Sequence, residues 1–246
     1  MTPFWIALQF LTTFPVQLTA MPSARQNAQS LLFYPLVGLF LGTLLTAMAL
    51  LLHALPLILL SSLIVVIWIW LSGGLHLDGL ADTADAWVGG FGDAERTLAI
   101  MKDPSCGPIG VLSLLIVVLL KWSTVYVLLQ QQQAWMLLLI PVLGRIAPLF
   151  LFLTTPYVRA QGLGSAMQQH LPKTLAKILI LLSLLSCLMY SWMGMITVMT
   201  VIGCYVYLRH KFMQRIQGIT GDTVGASIEI GETVAMLTLS ITLSAV

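Results

Sequence analysis

Apolar residues come in long uninterrupted runs along this chain, and polar residues are gathered between the runs rather than alternating within them. Seven stretches are long enough, or nearly long enough, to cross the roughly 30 Å hydrocarbon core of a bilayer as helices. They run from Leu31 to Leu52, Leu55 to Ser72, Gly110 to Gln130, Ala134 to Thr155, Leu175 to Tyr190, Gly194 to Leu208 and Ser227 to Val246. The fifth and sixth are short and are parted only by Ser191, Trp192, Met193 and Gly194. That polar and aromatic break predicts either a turn between antiparallel helices or a bend in one long segment. The opening stretch, Met1 to Val16, has neither the basic start nor the small-residue cleavage site of a secretory signal. It is expected to remain as a short interfacial or re-entrant segment.

Composition supports the membrane assignment. Hydrophobic residues make up 59% of the 246 positions and charged residues only 8%, where soluble domains carry about 25% charged residues. Aromatic residues near the ends of the runs (Trp70, Trp122, Trp135, Trp192, Tyr207) fit interfacial belts. The expected fold class is all-α: one polytopic helical bundle spanning residues 1–246, with about seven transmembrane helices and short interfacial ones. A net charge of +2, without a basic run interleaved with aromatics, gives no basis for nucleic-acid binding. Cys106, Cys187 and Cys204 lack paired ligand spacing, so neither a disulfide nor a zinc site is expected.

The placement of charge then sets a topology. Arg25 precedes the first span, and the segments 75–109, 156–174 and 209–226 carry most of the remaining charge. With seven spans these all fall on one side, while the opposite loops near His53, Gln131–Gln133 and Ser191 contain no Lys or Arg. The positive-inside rule therefore puts the charged side and the N-terminus in the cytoplasm, with the C-terminus outside.

All nine acidic residues lie in two windows, six from Asp78 to Asp103 and three from Asp222 to Glu232. Asp78, Asp82 and Asp85 are spaced i, i+4, i+7, which places them on one face of a helix. Such a stripe repels itself unless a cation or proton offsets it, and hard oxygen ligands favour Mg²⁺ or Mn²⁺. Small neighbours, Gly79, Ala81 and Ala84, leave room for a bulky ligand. His76 joins this face only if Gly73 and Gly74 break the helix; it is a candidate base, ligand or hydrogen-bond partner. Asp93, Glu95 and Arg96 read as a solvated helix start. Lys102 and Asp103 precede a Pro- and Gly-rich loop suited to phosphate approach, or alternatively form a buried ion pair.

In the second window Asp222 and Glu229 superpose on a helix, with Glu232 nearby and Gly225 leaving a gap on the same side. Carboxylates so close to hydrocarbon need a metal, a cationic substrate or an Arg partner. Two cations fall inside predicted spans. Arg145 suits a phosphate clamp or a pair with Glu229, and Lys121 is expected to snorkel.

On these residues the chain resembles the adenosylcobinamide-GDP ribazoletransferase (cobalamin synthase) family. The resemblance is carried by Gly73-Gly74-Leu75-His76-Leu77-Asp78-Gly79-Leu80-Ala81-Asp82-Thr83-Ala84-Asp85, by Ile100-Met101-Lys102-Asp103 and by Thr220-Gly221-Asp222-Thr223 running through Glu229 to Glu232. Weaker echoes lie in Phe33–Gly38, Gly144-Arg145 and Gly162-Leu163-Gly164. The pattern departs from the family at Gly107-Pro108-Ile109-Gly110, where the usual Thr hydroxyl is replaced by Pro108, and at Ala86, where Gly is frequent.

The resemblance implies a multi-pass enzyme of the cell inner membrane in which a ribose hydroxyl of α-ribazole, or of its 5′-phosphate, attacks the phosphoryl group of adenosylcobinamide-GDP and GMP leaves. That chemistry is mainly positioning and charge neutralisation. It assigns Asp78, Asp82, Asp85, Asp222, Glu229 and Glu232 to Mg²⁺, and His76, Asp82 and Lys102 to catalysis. Lys102, Asp103, Arg145 and Gly225 fall to substrate. The two windows are then walls of one cytoplasmic site, with Asp82 and Glu229 in reach of a shared ligand. Homo-oligomers or association with other cobalamin-assembly enzymes would fit the same reading. Two rivals have sequence support. A CDP-alcohol phosphotransferase also uses an Asp-Gly helix, but it needs Ala-Arg soon after, where this chain has Leu80-Ala81-Asp82, and Asp where it has Thr97. A cation transporter would spread its carboxylates through mid-membrane helices.

Overall fold

The computed structural model describes residues 2–18, 20–159 and 163–245. Gly162 of the Gly162-Leu163-Gly164 echo lies outside the described residues. Twelve α-helices follow one another: α1 Thr2–Leu11, α2 Ala24–Ser30, α3 Tyr34–Leu51, α4 Leu57–Leu71, α5 Leu75–Gly89, α6 Ala94–Ile100, α7 Pro108–Gln130, α8 Ile140–Thr154, α9 Leu163–His170, α10 Lys173–Ser186, α11 Ser191–Ile216 and α12 Gly221–Ser244. Short 3₁₀ turns precede α3 and α8 and separate α10 from α11. The opening segment forms α1, a short apolar helix that buries Ile6, Ala7, Leu8 and Leu11.

Among the described residues, five helical runs are long and apolar enough to cross a membrane, or six when the bent pair α4 and α5 is taken as one span. Hydropathy had given seven stretches, and the difference lies in the 44-residue run Lys173–Ile216. At 1.5 Å per residue a straight helix of that length would be roughly twice the hydrocarbon thickness. The run instead folds back at the 3₁₀ turn Cys187–Tyr190, where Ser191 takes φ +59°. Packing shows the reversal. Ala176 of α10 and Phe212 of α11 belong to one core cluster, at the end of the bundle where α8 finishes with Leu151 and Phe152. Cys187 and Tyr190 belong to the other, with Met136 and Leu137 at the far end. The Tyr190 hydroxyl fixes that end by donating to the Met136 carbonyl and accepting from the Leu139 amide, each at 3.2 Å. The break is thus a hairpin, and α10 and α11 are separate antiparallel passes.

The charged side gathers the irregular structure. Gly73 and Gly74 both adopt left-handed backbone (φ +65° and +69°), which an L side chain resists. They stop α4 and turn α5 through 86°. Helix α5 therefore lies across the ends of the spans rather than continuing one, and it packs on α12, α7 and α6. A capping box at the start of α12, Thr220 with Thr223, satisfies the first free amides of that helix and fixes where its acidic window begins. A parallel bridge between Tyr157 and Ile219 ties the segment after α8 to the residues just before α12.

Candidate active site

The two acidic windows meet where α5 crosses the first turns of α12. The crossing is close because of two glycines. A β-carbon on Gly79 would stand 2.8 Å from the Asp222 carbonyl oxygen, and one on Gly225 would stand 3.3 Å from the His76 Cα. Gly225 thus leaves its gap to the α5 backbone. The seam sets Asp78 and Asp82 of α5 against Asp222 of α12. Burial, and then the negative charges of Asp78, Asp222 and Asp85, push the Asp82 carboxyl up to about 6, against a smaller opposing effect of Arg159. Arg159 Nη2 donates to Asp222 Oδ2 at 2.8 Å, with both side chains partly exposed. Asp82 thus lies in electrostatic range of three further carboxylates and one arginine.

Asp85 is placed differently from its helical neighbours. Its two oxygens accept hydrogen bonds from the backbone amides of Gly107 at 2.7 Å and Gly110 at 2.8 Å. These are the N-cap residue and the third residue of α7, so Asp85 caps a helix N-terminus and answers its dipole. Pro108 occupies the first helical position, where a missing N–H costs nothing. Lys102 and Asp103 are exposed, which removes the buried-pair alternative. Asp103 accepts from the Ser105 amide at 2.9 Å, and this bond holds its carboxyl below the usual range. Buried Met101 receives the Thr220 hydroxyl at 3.8 Å, which seats this loop beside the start of α12. As expected, Asp93 opens a solvated helix by accepting from the Arg96 amide.

Glu229 and Glu232 lie deeper, in a dry ion network. Lys121 Nζ stands 2.6 Å from Glu229 Oε2 and 2.6 Å from Glu232 Oε2, and Arg145 pairs with the other Glu232 oxygen. All four side chains are buried. Two cations compensate two anions, and Lys121 also lies over the Trp68 ring at 4.5 Å. Three expectations change accordingly. Glu229 and Glu232 are engaged by cations inside the bundle rather than extending the aspartate cluster. Arg145 is fully enclosed and its ion pair is with Glu232, where the alternatives were a phosphate clamp or a pair with Glu229. Lys121 bridges two helices instead of snorkelling. The acidic residue that meets Asp82 is Asp222, with Glu229 two helical turns further in. Among the described residues, no three His, Cys, Asp or Glu side chains stand close enough together to hold a metal ion.

His76 follows from the left-handed glycines, which start α5 so that this residue turns toward α12. It is 3% exposed, neither ring nitrogen has a hydrogen-bond partner, and Nδ1 lies 4.0 Å from Glu229 Oε1. It lines a cavity of about 260 Å³ bounded by α1, α3, α5, α8, α9 and α12, together with Asp78, Asp222 and Gly225. Two stacked aromatic pairs flank this space, Phe10 with Tyr34 (6.3 Å between centroids) and Phe152 with Tyr157 (5.9 Å). Sequence reasoning did not single out Arg159, Phe10, Phe152 or Tyr157, whereas Tyr34 lies in the Phe33–Gly38 echo. Arg159 had a signal in the need of the site carboxylates for counter-charge.

The family model described as cobalamin-5-phosphate synthase matches residues 3–240. An Acinetobacter baumannii protein named adenosylcobinamide-GDP ribazoletransferase is 60% identical over 238 residues, covering 97% of this chain and 96% of its own. Proteins of the same name from Pseudomonas fluorescens (52% identical, 96% of this chain and 98% of theirs) and Pseudomonas syringae pv. syringae (50%, 98% and 100%) are similar from end to end. No solved structure matches the chain.

Proposed function

Because the chain belongs to the cobalamin-5-phosphate synthase family, we propose that it joins adenosylcobinamide-GDP to α-ribazole, or to α-ribazole 5′-phosphate, and releases GMP. The product is adenosylcobalamin or its 5′-phosphate. In this reaction the bond from a ribose oxygen to phosphorus forms as the bond from phosphorus to the GMP oxygen breaks, and the hydroxyl proton passes to a base.

The observation that carries the reading is the approach of Asp78 and Asp82 to Asp222 across a glycine-lined seam, beside a cavity with an unpartnered histidine. The carboxyl of Asp82, raised by burial and then by its acidic neighbours, marks a place that gains from a cation. The residues fit Mg²⁺, or Mn²⁺, in the manner usual for these ions, which one or two carboxylates hold together with substrate phosphates and water rather than in an all-protein cage. One or two of Asp78, Asp82 and Asp222 would hold the ion, which when bound would supply charge neutralisation on the pyrophosphate. Asp85 organises the α7 start and the loop bearing Lys102. Arg159, oriented by Asp222, and Lys102 are the cations available to phosphate oxygens. His76, enclosed and free at both nitrogens, is the group placed to take the hydroxyl proton. On this reading the enzyme is a phosphotransferase of the class that transfers substituted phosphate groups. It resides in the inner membrane with the seam facing the cytoplasm.

The test uses membranes containing the chain, supplied with both substrates and Mg²⁺. A complete cobamide and GMP are expected in equal amounts, with loss of both on chelation. Cation flux without either product would support a transporter instead, and a correctly inserted Asp82→Ala protein working at the normal rate would remove the metal assignment.

A further inference from the structure

The cavity beside the seam has a chemistry of its own. Its polar side chains, apart from the hydroxyls of Tyr34 and Tyr157, are His76, Asp78 and Asp222, all from the crossing of α5 and α12. The remaining walls are carbon, from Leu31, Pro148, Met167 and Ile228 among others, with the two stacked ring pairs. A site with aromatic walls and polar groups at one end suits a flat ring system joined to a polar group that stays at that end. The unpartnered, buried His76 points to the same conclusion, since an imidazole enclosed without hydrogen bonds gains one from a ligand.

We propose that this cavity holds the base of the nucleoside substrate between the aromatic pairs, with the ribose against His76 and the reacting hydroxyl at Asp78 and Asp222. The inference rests on the function proposed above and assigns one substrate to one place within it. Size and wall chemistry select that substrate. At about 260 Å³ the cavity has room for a two-ring heterocycle. Guanine, the other flat base in the reaction, carries donors and acceptors around its edge that these carbon walls would leave unpaired, at a cost for each. The alkylated benzimidazole of α-ribazole presents a hydrocarbon edge and loses nothing there. The corrinoid then approaches from the open side of the seam, where Lys102 is exposed and Arg159 partly exposed to its phosphates.

Gly221 gives the sharpest probe. It lines the cavity rim, its backbone is not left-handed, and a β-carbon there meets nothing within 4 Å, so Gly221→Leu can begin a side chain there that narrows the cavity. Tyr157→Ala, on a half-buried segment outside the spans, removes one ring of a stacked pair. Binding of α-ribazole alone to detergent-solubilised protein is measured by equilibrium dialysis with EDTA present, with guanosine as competitor. The expected result is saturable binding that guanosine does not displace, weakened about 10-fold by Tyr157→Ala and abolished by Gly221→Leu. In turnover, KM for α-ribazole should rise in both variants while KM for adenosylcobinamide-GDP stays within 2-fold. Unchanged α-ribazole binding in Tyr157→Ala and Gly221→Leu would overturn the proposal, as would displacement by guanosine at equal concentration. If Gly221→Leu does not fold, Phe152→Leu takes its place with the same expectation as Tyr157→Ala. A wild-type chain that binds α-ribazole in this way yet makes no cobamide would overturn the proposed function and leave the site standing.

Discussion

Replacing Glu232 with leucine separates a structural carboxylate from a catalytic one. Lys121 and Arg145 face Glu229 and Glu232 in a buried network that is neutral as a set. Leucine at 232 leaves two cations facing one carboxylate, inside a bundle where Arg145 and Glu232 are fully shielded from solvent. Removing one partner of a buried pair costs about 3–5 kcal/mol. For a chain of this size each kcal/mol moves the unfolding midpoint by roughly 2–4 °C, so the midpoint should fall by roughly 6–20 °C. The double variant Arg145→Leu, Glu232→Leu leaves Lys121 paired with Glu229 and returns the network to neutrality. Since a buried ion pair replaced by apolar side chains is often close to neutral in stability, the double variant should recover most of the loss. Thermal unfolding in detergent, followed by tryptophan fluorescence, reads both. A Glu232→Leu protein with the wild-type midpoint and no turnover would refute the reasoning, because that is how a metal or substrate ligand behaves. A double variant no more stable than the single one would refute the pairing.

Asp82→Asn should act in the opposite sense, with turnover reduced at least 100-fold in the cobamide assay and the unfolding midpoint unchanged or higher, since neutral asparagine relieves repulsion from Asp78 and Asp222. The pH dependence follows with its sign. The Asp82 carboxyl is raised above its unfolded value, so its ionised form opposes folding; stability from this group grows as pH falls through about 6 toward 4, whereas Mg²⁺ affinity falls over the same window. Titrating both in wild type and Asp82→Asn checks this, and the variant should lose both slopes. Asp85→Ala removes the α7 cap and should cost about 1–2 kcal/mol in stability, with increased protease cleavage in the 101–107 loop; an unaltered loop would show that the cap does not hold it. Gly79→Val puts a side chain where only 2.8 Å separates the β-carbon position from the Asp222 carbonyl, so the inserted protein should lose turnover as the seam opens.

Most of the bundle was legible because membrane burial penalises charge so heavily that hydropathy alone marks the spans. The α10–α11 hairpin was legible only as one of two alternatives, since Ser191-Trp192-Met193-Gly194 suits a bend as well as a turn and the choice is made by what Ala176 and Phe212 pack against. The acidic windows were legible as a pair, and their meeting follows from two glycines already visible in the motifs. What spacing did not supply was depth. Asp222 and Glu229 share an azimuth on α12, yet seven residues separate them by roughly 10 Å along the axis. That rise takes one carboxylate from the exposed seam, where Arg159 and solvent reach it, to the interior, where Lys121 must compensate it. The same argument applies to Asp85, which shares a helix face with Asp78 but lies beside the free amides of α7, and an amide within hydrogen-bond reach binds its carboxylate whatever its helical neighbours do. A stripe of acids in a membrane protein is therefore better divided by the nearest donor than by helical phase: those facing fixed amides or buried cations hold the fold together, while Asp78 and Asp82, beside Asp222, lie in one another's repulsion.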